Sequence, residues 1–274
     1  MTDVGMMLDE GRGTAKNSIE AMSWYRKAAQ AGDRDGMMFV ALWLRNSAAA
    51  TDQEEALSWF RRAAGQGEAL AMSSVGLMIE EGRGTAADPA EANRWYRKAA
   101  DAGEIYGMRF LANNLATGHG IARDETEALV WYRRGADKGD ATAMINIGAM
   151  LEAGRGAAKD PVAAYSWYRT AAEAGDSLGM YLVGAALQWG RGTTKNEAEA
   201  VAWYRKAAAA GHSASLSRLG LMIEEGRGVA KNVPEAIGLY RKAAEAGVPV
   251  AMWVLANHLL RGEGIAQDEA QALA

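Results

Sequence analysis

The chain has 274 residues, 49% of them hydrophobic and 23% charged, with a formal net charge of −4 and no cysteine. That balance suits a folded chain with a sizeable core, and the missing cysteines exclude disulfides, zinc–thiolate centres and thiol catalysis. The slight acidity gives no electrostatic case for nucleic acid or an anionic membrane, and no apolar run approaches the ~18 residues of a membrane-spanning helix.

The first residues, MTDVGMMLDEGRG, put Asp3 where a signal peptide carries basic residues. As it stands the chain therefore reads as cytoplasmic, while a signal peptide already trimmed away would leave a periplasmic or secreted location open. Met1 falls on the slot later held by Met72, Met108, Met144 and Met180, so residues 1–16 read as a partial repeat that begins inside a helix.

From Asn17 one pattern runs to residue 267. It opens on a helix cap, at Asn17, Asp52, Asp88, Asp124, Asp160, Asn196 and Asn232. Asp and Asn accept hydrogen bonds from the free N–H groups of a first helical turn. Three residues on come Glu20, Glu55, Glu91, Glu127, Glu199 and Glu235, the capping-box spacing, with Ala163 as the exception. Pro89 and Pro161 occupy the first helical position, where a missing N–H costs nothing.

Seven residues after each cap stands WYRKAA or a close variant. Its leading residues Trp24, Trp59, Trp95, Trp131, Trp167 and Trp203 are spaced 35 apart once and 36 thereafter, and Leu239 keeps the period. Ala92, Trp95, Tyr96, Ala99 and Ala100 share one helical face. This cap-led helix, A, ends at a glycine such as Gly103 or Gly139. A second helix, B, follows and carries Met144, Ile147, Gly148 and Leu151 three and four apart. A Gly-x-Gly loop, as at 82, 118, 154, 190, 226 and 262, leads to the next cap. The first repeat departs from this, reading RNSAAAT over 45–51. Asp268, Gln271 and Ala272 open a further partial repeat over 268–274, which stops one residue short of the expected Trp.

A helix pair of this kind cannot bury its Trp and Tyr alone, but a stacked neighbour covers them. A buried Trp or Tyr removes roughly 150–250 Å² from water, worth about 4–6 kcal/mol as an upper figure, against about 1 kcal/mol for a cap. The aromatic pair is therefore expected to hold the stack together. Small residues opposite it, Gly148, Gly184 and Gly220, allow close helix approach. The expected fold is all-α, a right-handed α/α superhelical solenoid. It has about seven helix-turn-helix repeats of ~36 residues in one repeat domain over 1–274.

Asp-x-x-Glu-Ala, then Trp-Tyr-Arg-Lys-Ala-Ala, then Gly, Ala-Met, Leu-Gly and Gly-x-Gly resemble the Sel-one-like repeat, a relative of the tetratricopeptide repeat. The resemblance covers nearly the whole chain, and only the family's cysteine-rich branch is not matched. It implies a non-enzymatic bacterial adaptor or scaffold presenting a concave groove to a peptide or protein, with no cofactor or metal. It also implies that A helices line that groove.

On that footing the invariant arginine of WYRKAA becomes a candidate ladder, with Arg97, Arg133, Arg169 and Arg205 as its central members. A planar guanidinium suits carboxylates and peptide carbonyls. The alternative is that each arginine pairs with an acid or free carbonyl of its own or a neighbouring repeat. Beside the ladder, the slots five and six after the cap hold Met22, Leu57, Asn93, Arg94, Leu129, Tyr165, Val201 and Ile237. They form either a greasy stripe for a partner, with Asn93, Arg94 and Tyr165 as contacts, or inter-repeat packing.

Phe39, Trp43, Tyr106, Phe110, Tyr181, Trp189 and Trp253 stand outside the repeat consensus, mostly on B helices, and read mainly as packing between repeats. The recurring methionines, Met37 to Met252, read as core filling rather than soft-metal ligands. Asn113–Asn114 and Asn257–His258 occupy matching B-helix slots and read as half-exposed. His119, His212 and His258 form no catalytic motif, and the Gly-x-Gly loops, which no strand precedes, read as turns. The incomplete repeats at the two ends leave a second expectation open, head-to-tail association of copies, and a small-molecule or enzymatic site in the concave groove is the third.

Overall fold

The computed structural model describes residues 1–273 and, apart from the side chains of Glu269 and Leu273, what they touch. Among the described residues there are sixteen helices and no strand. The chain divides into two compact units, Met1–Lys138 and Gly139–Ala274.

In the first unit the helices are α1 (Thr2–Glu10), α2 (Ser18–Gln30), α3 (Arg34–Leu44), α4 (Ala50–Gly65), α5 (Ala69–Glu80), α6 (Pro89–Asp101), α7 (Ile105–Thr117) and α8 (Glu125–Ala136). In the second they are α9 (Ala141–Ala153), α10 (Pro161–Glu173), α11 (Ser177–Trp189), α12 (Glu197–Ala209), α13 (Ser213–Glu225), α14 (Val233–Glu245), α15 (Pro249–Arg261) and α16 (Glu269–Leu273). Even-numbered helices are the A helices of the sequence pattern and odd-numbered ones the B helices. Within each unit every helix packs on the next, which is a solenoid of helix pairs.

The caps form as the sequence requires at six of the seven A helices. Asp88 Oδ1 accepts the Glu91 N–H at 2.9 Å, and Asn17, Asp124, Asp160, Asn196 and Asn232 do the same on their own helices. Asp52 does not. In the shortened loop α4 starts early, at Ala50 after an Ala49 cap, so Asp52 lies inside the first turn and accepts instead from Ser47 Oγ at 2.6 Å.

The aromatic pair divides its labour. Tyr25, Tyr96, Tyr132, Tyr168, Tyr204 and Tyr240 are all buried, as is Phe60 in the same slot. Of the tryptophans only Trp59 and Trp131 are buried; Trp24, Trp95, Trp167 and Trp203 keep part of their surface in water. The core aromatic is thus the tyrosine, and its seat is a B-helix glycine. A Cβ on Gly76 would stand 2.6 Å from the Tyr96 ring, and on Gly148 2.4 Å from Tyr168; Gly5, Gly184 and Gly220 seat Tyr25, Tyr204 and Tyr240 in the same way. Only glycine lets the ring approach the B backbone so closely. The buried hydroxyl then finds an acceptor on the same B helix: Tyr96 donates to Glu80 at 2.7 Å, Tyr168 to Glu152 at 3.0 Å, Tyr204 to Gln188 at 2.8 Å and Tyr240 to Glu224 at 2.8 Å. Burial, with the adjoining carboxylate of Glu80, holds the Tyr96 phenol far above its ordinary pKa.

The second glycine of Gly-x-Gly has another use. Gly192, at φ 68°, lies so close to the first turn of α10 that a Cβ would meet the Pro161 carbonyl oxygen at 1.9 Å. The loop is a turn, and it also brings one repeat against the start of the preceding A helix. The methionine slot is core in Met37, Met108 and Met144 but reaches the surface at Met252, 47% exposed.

Tyr96→Ala is expected to lower unfolding free energy by about 3–5 kcal/mol as a large-to-small core change. Tyr96→Phe removes only the hydrogen bond and is expected to cost about 1 kcal/mol or slightly more, because Glu80 keeps other partners. Urea denaturation of the two variants beside the parent checks both.

Candidate functional site

The A row comes first because the sequence points there. Glu55, three residues into the capping pattern of α4, accepts the Arg26 guanidinium of the preceding repeat through both of its oxygens, and Trp59 Nε1 at 3.0 Å. Glu127 on α8 accepts Arg97 at 2.7 Å and Trp131 Nε1 at 3.1 Å. Glu91 on α6 sits between Arg61, at 3.5 Å, and Trp95 Nε1, at 3.3 Å. A cation three residues after the Trp covers its ring: Lys27 on Trp24, Arg62 on Trp59, Lys98 on Trp95, Arg134 on Trp131 and Lys206 on Trp203, all 4.3–4.5 Å from the centroid. The hydrogen bond from Arg97 is the largest influence on Glu127 and holds its carboxyl below the ordinary range, with burial opposing it and Trp131 assisting.

Arg97 is therefore engaged in joining one repeat to the next, which is the architectural alternative. Arg169 is exposed and bonded to Glu173 on its own helix at 2.9 Å. Arg133 and Arg205 are exposed and make no ion pair within their own units among the described residues. Arg94 is exposed and Tyr165 half-buried.

Asn93 departs from the expectation of an outward contact: it is 3% exposed. Its slot is core in Leu57, Leu129, Val201 and Ile237 as well, so the apolar residues five after the cap are packing. A polar residue buried there must be satisfied. Asn93 Nδ2 donates to the Pro89 and His119 carbonyls, both at 2.8 Å, and its Oδ1 accepts from Asn114 at 3.0 Å. Asn114 also donates to Glu80 at 2.9 Å, which closes a network with Tyr96. Asn114 and His258 are accordingly buried rather than half-exposed. In the second unit His258 meets Glu224 at 3.2 Å below Tyr240, the counterpart of that network.

The open surface is on the B row. Of the large apolar side chains left exposed among the described residues, only Ile19, Val130 and Val162 lie on A helices. The rest lie on B helices or their caps. They include Leu42, Trp43, Leu70 and Tyr106 in the first unit, and Leu178, Trp189 and Trp253 in the second, the last 69% exposed. Reading the unusual aromatics as packing holds for Phe39 and Phe110, which stack on Tyr25 and Tyr96 at 4.5 and 5.0 Å, and for Tyr181 against Tyr204. It does not hold for Trp43, Tyr106 and Trp253; Trp189, though 57% exposed, carries the Arg227 guanidinium of the following repeat 5.5 Å from its ring centroid. Exposed Trp and Tyr of this kind are the side chains that anchor interfaces.

Two clefts open on this row in the first unit, both lined only by B helices and their caps. One, of about 490 Å³, runs over α1, α3 and the start of α5; the other, of about 440 Å³, over α3, α5 and α7. They meet at Leu42 and Leu70. The sequence reading set its candidate groove on the A row because the invariant arginine drew attention there, whereas the exposed apolar side chains lie mainly on B. The better signal was the set of aromatics on B that the repeat does not require.

His212 Nδ1 stands 2.8 Å from Ser215 Oγ, but Ser215 is fully buried in the first turn of α13 and faces no cleft. No group of three or more His, Asp or Glu able to hold a metal ion occurs among the described residues, and no helix there is long and apolar enough to cross a membrane.

The family model of the Sel1 repeat matches residues 1–33, 35–68, 69–104, 105–140, 141–176, 177–212, 213–248 and 249–274. These are eight units, each opening on a B helix and closing on the A helix after it, whereas the sequence pattern was phased from the A cap as seven. The family's phase pairs each seating glycine with its own tyrosine. By structure the chain is similar to a protective antigen of uropathogenic Escherichia coli strains with an SLR fold, at 30% identity and a TM-score of 0.85, over 99% of this chain and 59% of that one. The chain thus spans less than two thirds of the antigen's length. It is also similar to a Sel1 repeat protein from Oxalobacter formigenes, at 27% identity and a TM-score of 0.76, over 86% of this chain and 94% of that one. No curated protein matches it by sequence.

Two measurements follow. Arg97→Ala is expected to cost about 0.5–1 kcal/mol, no more, because Arg97 and Glu127 stay 40% and 34% exposed; a double-mutant cycle with Glu127→Ala in urea isolates the pair. His212 reports on pH. Burial lowers its pKa below the ordinary 6.5, with Asp176 opposing. Acidification therefore protonates the unfolded chain first and draws the equilibrium toward it. The melting temperature is expected to fall between about pH 7.5 and 5.5, where carboxylates do not yet titrate, and to fall less in His212→Asn.

Proposed function

The chain belongs to the Sel1 repeat family, and we propose that it is a scaffold that takes a peptide segment or protein surface on its B row. Sel1-repeat proteins in general mediate protein–protein interactions on a helical framework that is typically non-enzymatic. The observation that carries the proposal is where the exposed apolar surface lies: large aliphatic and aromatic side chains crowd the B helices, over two adjoining clefts, while the A-row Arg26, Arg61 and Arg97 are paired with glutamates of the next repeat. Burying Leu42, Leu70 and Tyr106 against a partner removes contiguous apolar area from water, the main source of association energy.

This predicts an asymmetry between rows. Selection of a random-peptide library on the intact chain is expected to enrich binders that Leu70→Asp with Tyr106→Ala abolishes and that Arg205→Glu leaves intact. Both variants should retain the helical circular dichroism of the parent. Binders lost with Arg205→Glu and kept with the B-row variant would return the site to the arginine ladder.

A further inference from the structure

The cleft over α3, α5 and α7 contains one feature that packing does not explain. Its walls are apolar, formed by Leu42, Leu70, Leu77, Phe110 and the Tyr106 ring, yet Arg45 lies in it half-buried. Other arginines of the first unit's B row are engaged: Arg34 with Glu68 and Arg83 with Glu81. Arg45 has no acid, carbonyl or ring partner among the described residues of its unit. It also borders a second cleft of about 210 Å³, lined by Ser74, Leu77 and Glu81. Arg109, stacked on Tyr106 at 5.0 Å, adds a second guanidinium to the same wall.

A half-buried guanidinium whose donors no side chain fills is complementary to a carboxylate, which can take two of its N–H groups at once. The opposite end of the surface has the other sign. The adjoining cleft over α1 and α3 is lined by Met6, Met38 and Phe39 but edged by Asp3, Asp35 and Glu68. Charge complementarity therefore dictates an occupant with its own polarity.

We propose, resting on the B-row reading above, that these joined clefts bind a peptide segment with an acidic side chain at one end, large apolar residues in the middle and a basic residue at the other. The Asp or Glu sits on Arg45 with Arg109 beside it. The apolar residues lie over Leu42 and Leu70, and the Lys or Arg lies along Asp3 and Asp35. The clefts run across four helices of one row. At about 10 Å between neighbouring helices and about 3.3 Å per extended residue, that is roughly nine residues. The open run of the surface selects a segment passing through, so the carboxylate belongs to a side chain rather than to a chain terminus.

The test is fluorescence anisotropy of the whole chain with labelled nonapeptides, capped at both ends, whose basic, apolar and acidic thirds are arranged in every order. A peptide with basic and acidic ends around leucines should bind tighter than its Glu→Gln counterpart by about tenfold. Arg45→Gln should erase that preference while leaving affinity for the Gln peptide unchanged, and Arg45→Lys should restore part of it. Melting curves confirm that the variants fold. Equal binding of Glu and Gln peptides, or a loss in Arg45→Gln shared by both, would overturn the carboxylate site and leave the B-row scaffold standing. A chain that folds and binds none of the peptides would overturn the site. Failure of the B-row variants in the library selection is a separate result, and only that one removes the scaffold reading.

Discussion

The structure depends on a tyrosine ring lying against a helix backbone. In five repeats an A-helix tyrosine rests on a B-helix glycine at a distance no side-chain carbon would allow, as Tyr168 does on Gly148 and Tyr240 on Gly220. This contact fixes how closely the two helices approach and which way each is turned. Because the ring fills the space between the rows, the hydroxyl must be satisfied from the B helix, hence Glu80, Glu152, Gln188 and Glu224 in one recurring place. Once the tyrosine is inside, the adjoining tryptophan sits at the edge of the core. There, in Trp59, Trp95 and Trp131, it donates to the capping-box glutamate of its own helix and meets a cation on its face.

That edge explains why Arg26, Arg61 and Arg97 serve the fold. The glutamate at the third position of an A helix is held by its own tryptophan and by the arginine of the repeat before, so one carboxylate ties two repeats together. Such partly exposed pairs add little stability individually. They add register, by placing one A helix against the next. With the A row occupied in this way, the apolar side chains that packing does not consume are left on the B row. The proposed binding surface is thus what the fold leaves over.

Much of this was legible in the sequence. The period, the caps, the glycine stops and the helix pairs are local features, and local chemistry determines them. Asp52 escaped because cap spacing assumes a loop of fixed length, and RNSAAAT is shorter. The roles of Trp and Tyr could not be separated by periodicity, since adjacent residues share a broad helical face; only the glycine opposite distinguishes them, and that is a tertiary fact. Asn93 looked exposed because it is polar, although Leu57, Leu129, Val201 and Ile237 in its slot already marked a core position. The exposed apolar surface of the B row, on which the proposed site rests, was harder to read for a related reason. Recurrence marks what architecture needs, whereas Trp43, Tyr106 and Trp253, which do not recur, are what remains available to a partner.

The most direct test of this account is a comparison of two glycine-to-alanine substitutions in the same unit. Alanine normally stabilises a helix interior over glycine by about 0.5–1 kcal/mol. Gly238 on α14 has nothing within 4 Å of a new methyl group, whereas at Gly220 on α13 it would stand 2.7 Å from the Tyr240 ring. Equilibrium unfolding in urea should show Gly238→Ala more stable than the parent and Gly220→Ala less stable. A gain in both would mean that the tyrosine does not need its glycine seat, and would contradict the account at its base.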